Sequence, residues 1–193
     1  MPIIGFSQCI YGDCENGKNA IAKYNEGEIK YEGGFYGGKF HGTGKYYEDN
    51  QLKYDGNWED GRMSGYGRYY QDGELMYDGN WEDDRRSGSG KYYQDGELKY
   101  DGNWENDRMF GSGKLYKNKR MYYNGEVRDG IENGIGTFYH ENGKEYTVLW
   151  IDGRTGENIY NANDISGSKL EKCEIELIND FGNSYKLEID VDG

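Results

Sequence analysis

The sequence predicts an all-β protein assembled from antiparallel hairpins, and three observations carry that expectation. Tyr31, Tyr54, Tyr77, Tyr100, Tyr123 and Tyr146 stand 23 residues apart, so one structural unit recurs along the chain. Within each unit the marked residues lie two apart, which is the spacing of a strand face and not of a helix. The composition has 32 Gly, one Pro and 16% aromatic residues. Such a chain fills space with rings set against bare backbone in place of an aliphatic core.

The unit opening at Tyr54 reads YDGNWEDGRMSGYGRYYQDGELM and returns from Tyr77 as YDGNWEDDRRSGSGKYYQDGELK. Its frame is Y-x-G-x-W, then G-x-G-x-Y, then a turn. Tyr54, Gly56 and Trp58 share one face of a strand, and Gly65, Gly67 and Tyr69 share one face of the next. Asp72-Gly73 and Asp95-Gly96 mark hairpin turns, because glycine takes positive φ at little cost. Loop length then sets the register. A two-residue loop would pair Arg68 with Tyr77 and oppose a glycine face to a charged one. A three-residue loop, Asp72 to Glu74, pairs Tyr69 with Tyr77, Gly67 with Gly79, Gly65 with Trp81 and Arg68 with Asp78. The longer loop is expected, because every recurrent position then falls on one face. It also sets Lys45 opposite Asp55 and Lys91 opposite Asp101, pairs worth only about 0.2–1 kcal/mol each. Glycine weakens a strand interior unless something large must come close, so rings from neighbouring strands are expected to fill these gaps.

These motifs resemble the MORN repeat (membrane occupation and recognition nexus). The likeness runs from Tyr31 to Arg154, with units opening at Tyr31, Tyr54, Tyr77, Tyr100 and Tyr123. A half unit from Tyr146 keeps Trp150 and has Val148 in place of glycine. Phe35 stands for tryptophan in the first unit, Val127 in the fifth, and Leu115 replaces the inner tyrosine of the fourth. The YYQDGEL turn is similar, more loosely, to MORN-like repeats of bacterial proteins named as antitoxins. The resemblance implies a single-layer, curved antiparallel sheet of hairpins. It also implies scaffolding roles: docking partner proteins, holding cytoskeletal or ciliary assemblies, self-association and, in some cases, lipid contact. Where such proteins are enzymes, a separate domain does the chemistry.

Residues 1–30 read as an N-terminal cap on a worn repeat, since end units must shield a stack. Ile3 to Tyr11 is its edge strand, with turns at Asn16-Gly17-Lys18 and Gly27. The start of the chain has no charged n-region or long apolar stretch, and no run approaches the roughly 20 apolar residues of a membrane helix. A cytoplasmic protein is expected. Cys9, Cys14 and Cys173 make an odd total, which favours free thiols over a Cys9–Cys14 bridge. Residues 155–170 are polar and without period, a connector. In residues 171–193, Cys173, Ile175 and Leu177, then Tyr185, Leu187, Ile189 and Val191, alternate with polar neighbours. That is a hairpin expected to close the open end of the repeat sheet, its rival role being an edge strand offered to a partner.

The 36 acidic against 23 basic residues leave a net charge of −13, which argues against nucleic acid as a partner and against an anionic membrane. The basic spot from Lys114 to Arg120 reads as a solvated strand and turn. His41 and His140 are the only histidines, and no G-x-S-x-G, phosphate-cradling loop or H-E-x-x-H accompanies them. Carboxylates such as Glu59-Asp60, Glu82-Asp83 and Glu105 repeat with the frame, whereas an active site is singular. Calcium needs six to eight oxygens placed by a defined loop, and none is legible. No enzyme activity, cofactor or metal is expected.

What the repeat offers is a row of rings on one face: Phe35, Trp58, Trp81 and Trp104 with Tyr46, Tyr69 and Tyr92. They stack on the glycines as core, or form a docking stripe, and both roles can hold together. The sequence points to a non-enzymatic scaffold that docks partner proteins or copies of itself. Its rivals are an acidic antitoxin or immunity-like protein masking a basic partner, and a lipid-associated MORN protein.

Overall fold

A computed structural model describes residues 8–23, 29–151, 154–155, 160–161, 173–178 and 184–189. The fold is all-β, built from antiparallel hairpins, with no helix among the described residues. The chain packs as two units, residues 1–99 with 104–107 and residues 100–103 with 108–193. In the first unit β1 (Gln8–Tyr11), β2 (Ala20–Lys23), β3 (Ile29–Tyr36), β4 (Lys39–Glu48), β5 (Gln51–Glu59), β6 (Arg62–Gln71), β7 (Glu74–Glu82) and β8 (Arg85–Gln94) follow one another in sheet order. Strand β9 (Glu97–Glu105) contributes to both units. The second continues with β10 (Arg108–Lys117), β11 (Arg120–Arg128), β12 (Ile131–Tyr139) and β13 (Glu145–Ile151), again in sheet order.

The turn between β6 and β7 corrects one expectation and upholds another. Asp72 and Gly73 both take positive φ, 52° and 81°, so the loop has two residues of the I′ type and not three. The register is nevertheless the expected one: Tyr69 faces Tyr77, Gly67 faces Gly79, Gly65 faces Trp81 and Arg68 faces Asp78. A bulge reconciles the two. Tyr70 faces Leu75, which leaves Met76 as an extra residue before Tyr77, and the slip imposed by the short loop is absorbed there. The β4–β5 and β10–β11 hairpins repeat the device with Lys53 and Tyr122 as the extra residues.

The two glycines of G-x-G answer different demands. Gly56 faces Gly67 while Trp58 faces Met63, so β6 carries surplus residues between them. Gly65 passes that irregularity with φ of 62°, a backbone region that side-chain-bearing residues disfavour. Gly67 is needed for space. A Cβ on it would stand 2.2 Å from Tyr54 Oη and 2.3 Å from Cζ. The opening tyrosine of each unit therefore lies on a glycine of the following strand, and Tyr31, Tyr54, Tyr77, Tyr100 and Tyr123 are buried. Phe35, Leu115 and Val127, which depart from the frame, stay buried in their places.

The worn repeat before Tyr31 follows the same logic in reverse. Ala20 faces Gly33 and Ala22 faces Tyr31, so Ala20 takes the position that Gly67 holds against Gly79. By register its opening position is Cys9, which faces Ala22 as Tyr54 faces Tyr69, and with no ring to accommodate, a methyl group fits. The segment after β1 sits on the first repeat. Phe35 N donates to Gly17 O at 2.6 Å, Gly38 N to Glu15 O at 3.0 Å and Gly37 N to Asn16 Oδ1 at 3.1 Å. Cys9 and Cys14 are joined by a disulfide, with Cα atoms 5.9 Å apart, and the expectation of free thiols is corrected. Gly12, at φ 75°, turns the chain back so that Cys14 returns to β1, while the third cysteine lies far along the chain in β16 (Cys173–Ile178).

At the other end the half unit keeps the frame: Gly134 faces Trp150, Gly136 faces Val148 and Phe138 faces Tyr146. Strand β14 (Arg154–Thr155) spans the boundary between the half unit and the stretch read as a connector, which itself supplies β15 (Tyr160–Asn161), and both are antiparallel to β13. Strand β16 pairs with β17 (Ser184–Ile189), Cys173 facing Ile189 and Leu177 facing Tyr185, as a sheet of their own. The expected strand from Ile3 is described only over β1, and residues 162–170 lie outside the described residues.

Candidate interaction surface

The row of rings divides into two classes. Phe35, Trp58, Trp81 and Trp104 are core, 3%, 7%, 8% and 4% exposed. Trp81 stands edge-on between Tyr54 at 5.6 Å and Tyr77 at 5.1 Å, and Trp58 likewise between Tyr31 at 5.7 Å and Tyr54 at 5.0 Å. Trp58 Nε1 donates to Gly44 O, Trp81 Nε1 to Gly67 O and Trp104 Nε1 to Gly90 O, each at 3.1 Å. One glycine thus takes a tyrosine ring on its α-carbon and an indole N–H on its carbonyl. The tyrosine hydroxyls donate within their own strand, Tyr54 to Asn57 O at 3.0 Å and Tyr100 to Asn103 O at 2.8 Å. Burial holds these phenols un-ionised. Tyr100 and Tyr123 are pushed up to about 12, and Tyr31 and Tyr54 are raised as well.

Tyr46, Tyr69 and Tyr92 form the second class. They are half-buried, with ring centroids 6.1, 6.1 and 6.3 Å from those of Trp58, Trp81 and Trp104. Of the seven residues expected to form a docking stripe, these three are the ones that reach the surface. The tryptophans are seated beneath them.

Sequence reasoning missed the edge formed by the turns between β5 and β6 and their counterparts. Glycine gives way to aspartate at Asp84 and Asp107, both with positive φ, and hydrogen bonds to the preceding turn stand in compensation. Asp84 N donates to Met63 O at 3.1 Å while Met63 N donates to Asp84 Oδ1 at 2.8 Å. Asp107 does the same with Arg86. Arg86 also lays its guanidinium 4.2 Å from the Trp104 ring centroid and bonds Asp107 Oδ1 at 3.0 Å, a cation held over an aromatic face. Arg62–Asp83 at 3.0 Å and Arg108–Asp129 at 3.7 Å continue the pattern. Of the repeated carboxylates, Asp60 and Asp83 belong to this ladder, whereas Glu59 and Glu82 accept from Ser64 and Ser87 in their own hairpins. The run DDRR carried the signal: an aspartate where its neighbouring unit has glycine.

The opposite face has its own organisation. Lys45 lies 4.0 Å from Asp55, and Arg68 3.5 Å from Asp78, which also accepts from Tyr66 Oη. Along the turn side of this face runs a stripe that the sequence reading did not isolate. Tyr47 faces Leu52 and Tyr70 faces Leu75, with Tyr93 and Leu98 at the same positions of the next unit. All six are half-buried. Because Tyr46 points to Trp58, its neighbour Tyr47 points the other way, and its hydroxyl donates to Glu32 Oε2 at 3.2 Å. The doubled tyrosine of YYxDGEL was the available signal, but pairing its second ring with leucine requires the bulge.

The remaining candidates are plain. His41 is exposed beside Tyr36, ring centroids 5.6 Å apart. His140 Nδ1 accepts from Asn142 N at 3.2 Å in a turn. Lys114, Lys117, Lys119 and Arg120 are exposed on the end of β10 and its turn. Among the described residues no helix is long and apolar enough to cross a membrane.

Comparison with known families matches the MORN repeat at residues 31–51, 54–74, 77–97, 100–119 and 123–145, more than half of the chain. The protein belongs to the MORN-repeat family. A search of curated proteins finds no match.

Proposed function

We propose that this protein is a non-enzymatic interaction scaffold that docks partner proteins or copies of itself. The observation that supports the reading is periodic presentation. Tyr46, Tyr69 and Tyr92 are half-buried, and each is braced by a buried tryptophan at the same point of successive units. A ring held in place loses little freedom on binding, and tyrosine is favoured at the centres of interfaces. The net charge of −13 favours proteins as partners over phosphate backbones or anionic bilayers.

The test is reconstituted binding. Partners captured by the wild-type chain are purified and titrated against it and against a Tyr46→Ser, Tyr69→Ser, Tyr92→Ser variant whose circular dichroism and melting are unchanged. Direct binding to wild type with clear loss in the variant is the expected result. Undiminished binding by the variant, or no protein that binds the wild-type chain directly, overturns the proposal.

A further inference from the structure

We infer that the second tyrosine stripe, Tyr47–Tyr70–Tyr93 with Leu52, Leu75 and Leu98, is a docking surface for a proline-rich, polyproline II peptide carrying a basic residue in each turn. This rests on the scaffold reading and assigns it a partner class and a different face. The three tyrosine–leucine pairs lie within one packed unit, half-buried, on the face away from the tryptophans.

Pitch selects the occupant. Successive pairs are two strands apart, so they recur about every 9.6 Å across the sheet. A polyproline II helix turns once in three residues and advances about 9.3 Å, so it presents the same side to each ring in turn. An α-helix returns to the same face after seven residues and about 10.5 Å, and slips steadily out of step with the ladder. An extended strand repeats its facing in steps of two residues, roughly 6.6 Å, and meets only alternate needs. Tyrosine faces spaced along an apolar strip are how proline-rich segments are held in general.

Charge selects its sequence. Two residues past each tyrosine lies an exposed acid in the turn: Asp49 after Tyr47, Asp72 after Tyr70 and Asp95 after Tyr93. None of these carboxylates has a basic partner among the described residues. They recur with the rings, so one cation per turn of the ligand meets one acid per unit. A Pro-Pro-Arg triplet has that composition and that rise.

The test is titration of the whole chain with fluorescently labelled peptides, read by anisotropy. The probes are about four Pro-Pro-Arg triplets, a Gly-Ser-Arg peptide of equal charge, and an amphipathic helical peptide with leucine at every seventh position. The expected result is binding of the Pro-Pro-Arg peptide, weakened on the order of tenfold or more by Tyr70→Ser and unchanged by Tyr69→Ser on the other face. Equal binding of the Gly-Ser-Arg peptide, which would mean charge alone, overturns it. So does preference for the helical peptide, indifference to Tyr70→Ser in a variant that melts as wild type, or no binding. If partners lost on substituting Tyr46, Tyr69 and Tyr92 are found while the Pro-Pro-Arg peptide fails, this inference falls and the scaffold reading stands.

Discussion

The ring of Tyr54 lies on the α-carbon of Gly67, so that the first atom of any side chain there would meet Oη at 2.2 Å. Because the ring is buried and its hydroxyl is fixed to Asn57 O at 3.0 Å, it has little room to move aside. Gly67→Ala is expected to cost about 3 kcal/mol, the upper range for overpacking. Gly65→Ala, which meets only the flexible Asn57 side chain at 3.0 Å, pays for its φ alone, about 1–2 kcal/mol. Urea unfolding of the two variants checks the order. Equal costs would show that the ring does not explain Gly67.

Trp81 belongs to the same column, which makes its substitution a stability experiment. Trp81→Phe keeps most of the packing but leaves Gly67 O without its indole donor, an expected loss of about 1–2 kcal/mol. Trp81→Ala removes the ring and should cost about 3–5 kcal/mol. A Trp81→Ala protein that melts as wild type would remove the indole from the core.

Alkali should unfold the repeats in a defined window. The phenols of Tyr100 and Tyr123 are raised from 10.0 to about 12 by burial, so between those values the unfolded chain releases protons that the folded chain retains. Stability is therefore intact below pH 10 and falls as pH rises toward 12. Tyrosinate absorbance from the buried rings is expected to rise only together with loss of the β-sheet circular dichroism signal. Ionisation of Tyr100 and Tyr123 near pH 10 with the sheet intact would contradict the burial.

The Cys9–Cys14 bridge predicts a thiol count. Denatured without reductant, the chain should take one maleimide, on Cys173, and after reduction three, as intact mass reports. Three labels without reduction would return the chain to free thiols.

Much of this architecture was legible because the frame is periodic: the pairing of Gly65 with Trp81 and of Tyr69 with Tyr77 followed from face matching alone. The turn was not, since a bulge at Met76 and a three-residue loop give the same register downstream, and only φ at Asp72 and Gly73 separates them. Face assignment put the tryptophans and the inner tyrosines in one row, but alternation says nothing about depth. Only the rings on either side, Tyr54 of the preceding unit and Tyr77 of its own strand, decide that Trp81 is covered while Tyr69 stays half-buried. The bridge was hidden by an odd cysteine count, because parity is a property of the whole chain and proximity is local.

Tyrosine on glycine couples each unit to its own second strand. A double-mutant cycle on Tyr54→Ala and Gly67→Ala, read by urea unfolding, tests it most directly. With the ring gone the added methyl group has space, so the double variant should be more stable than the sum of single losses predicts, by on the order of 1–3 kcal/mol. Additive losses would mean that the ring and the glycine do not meet as described.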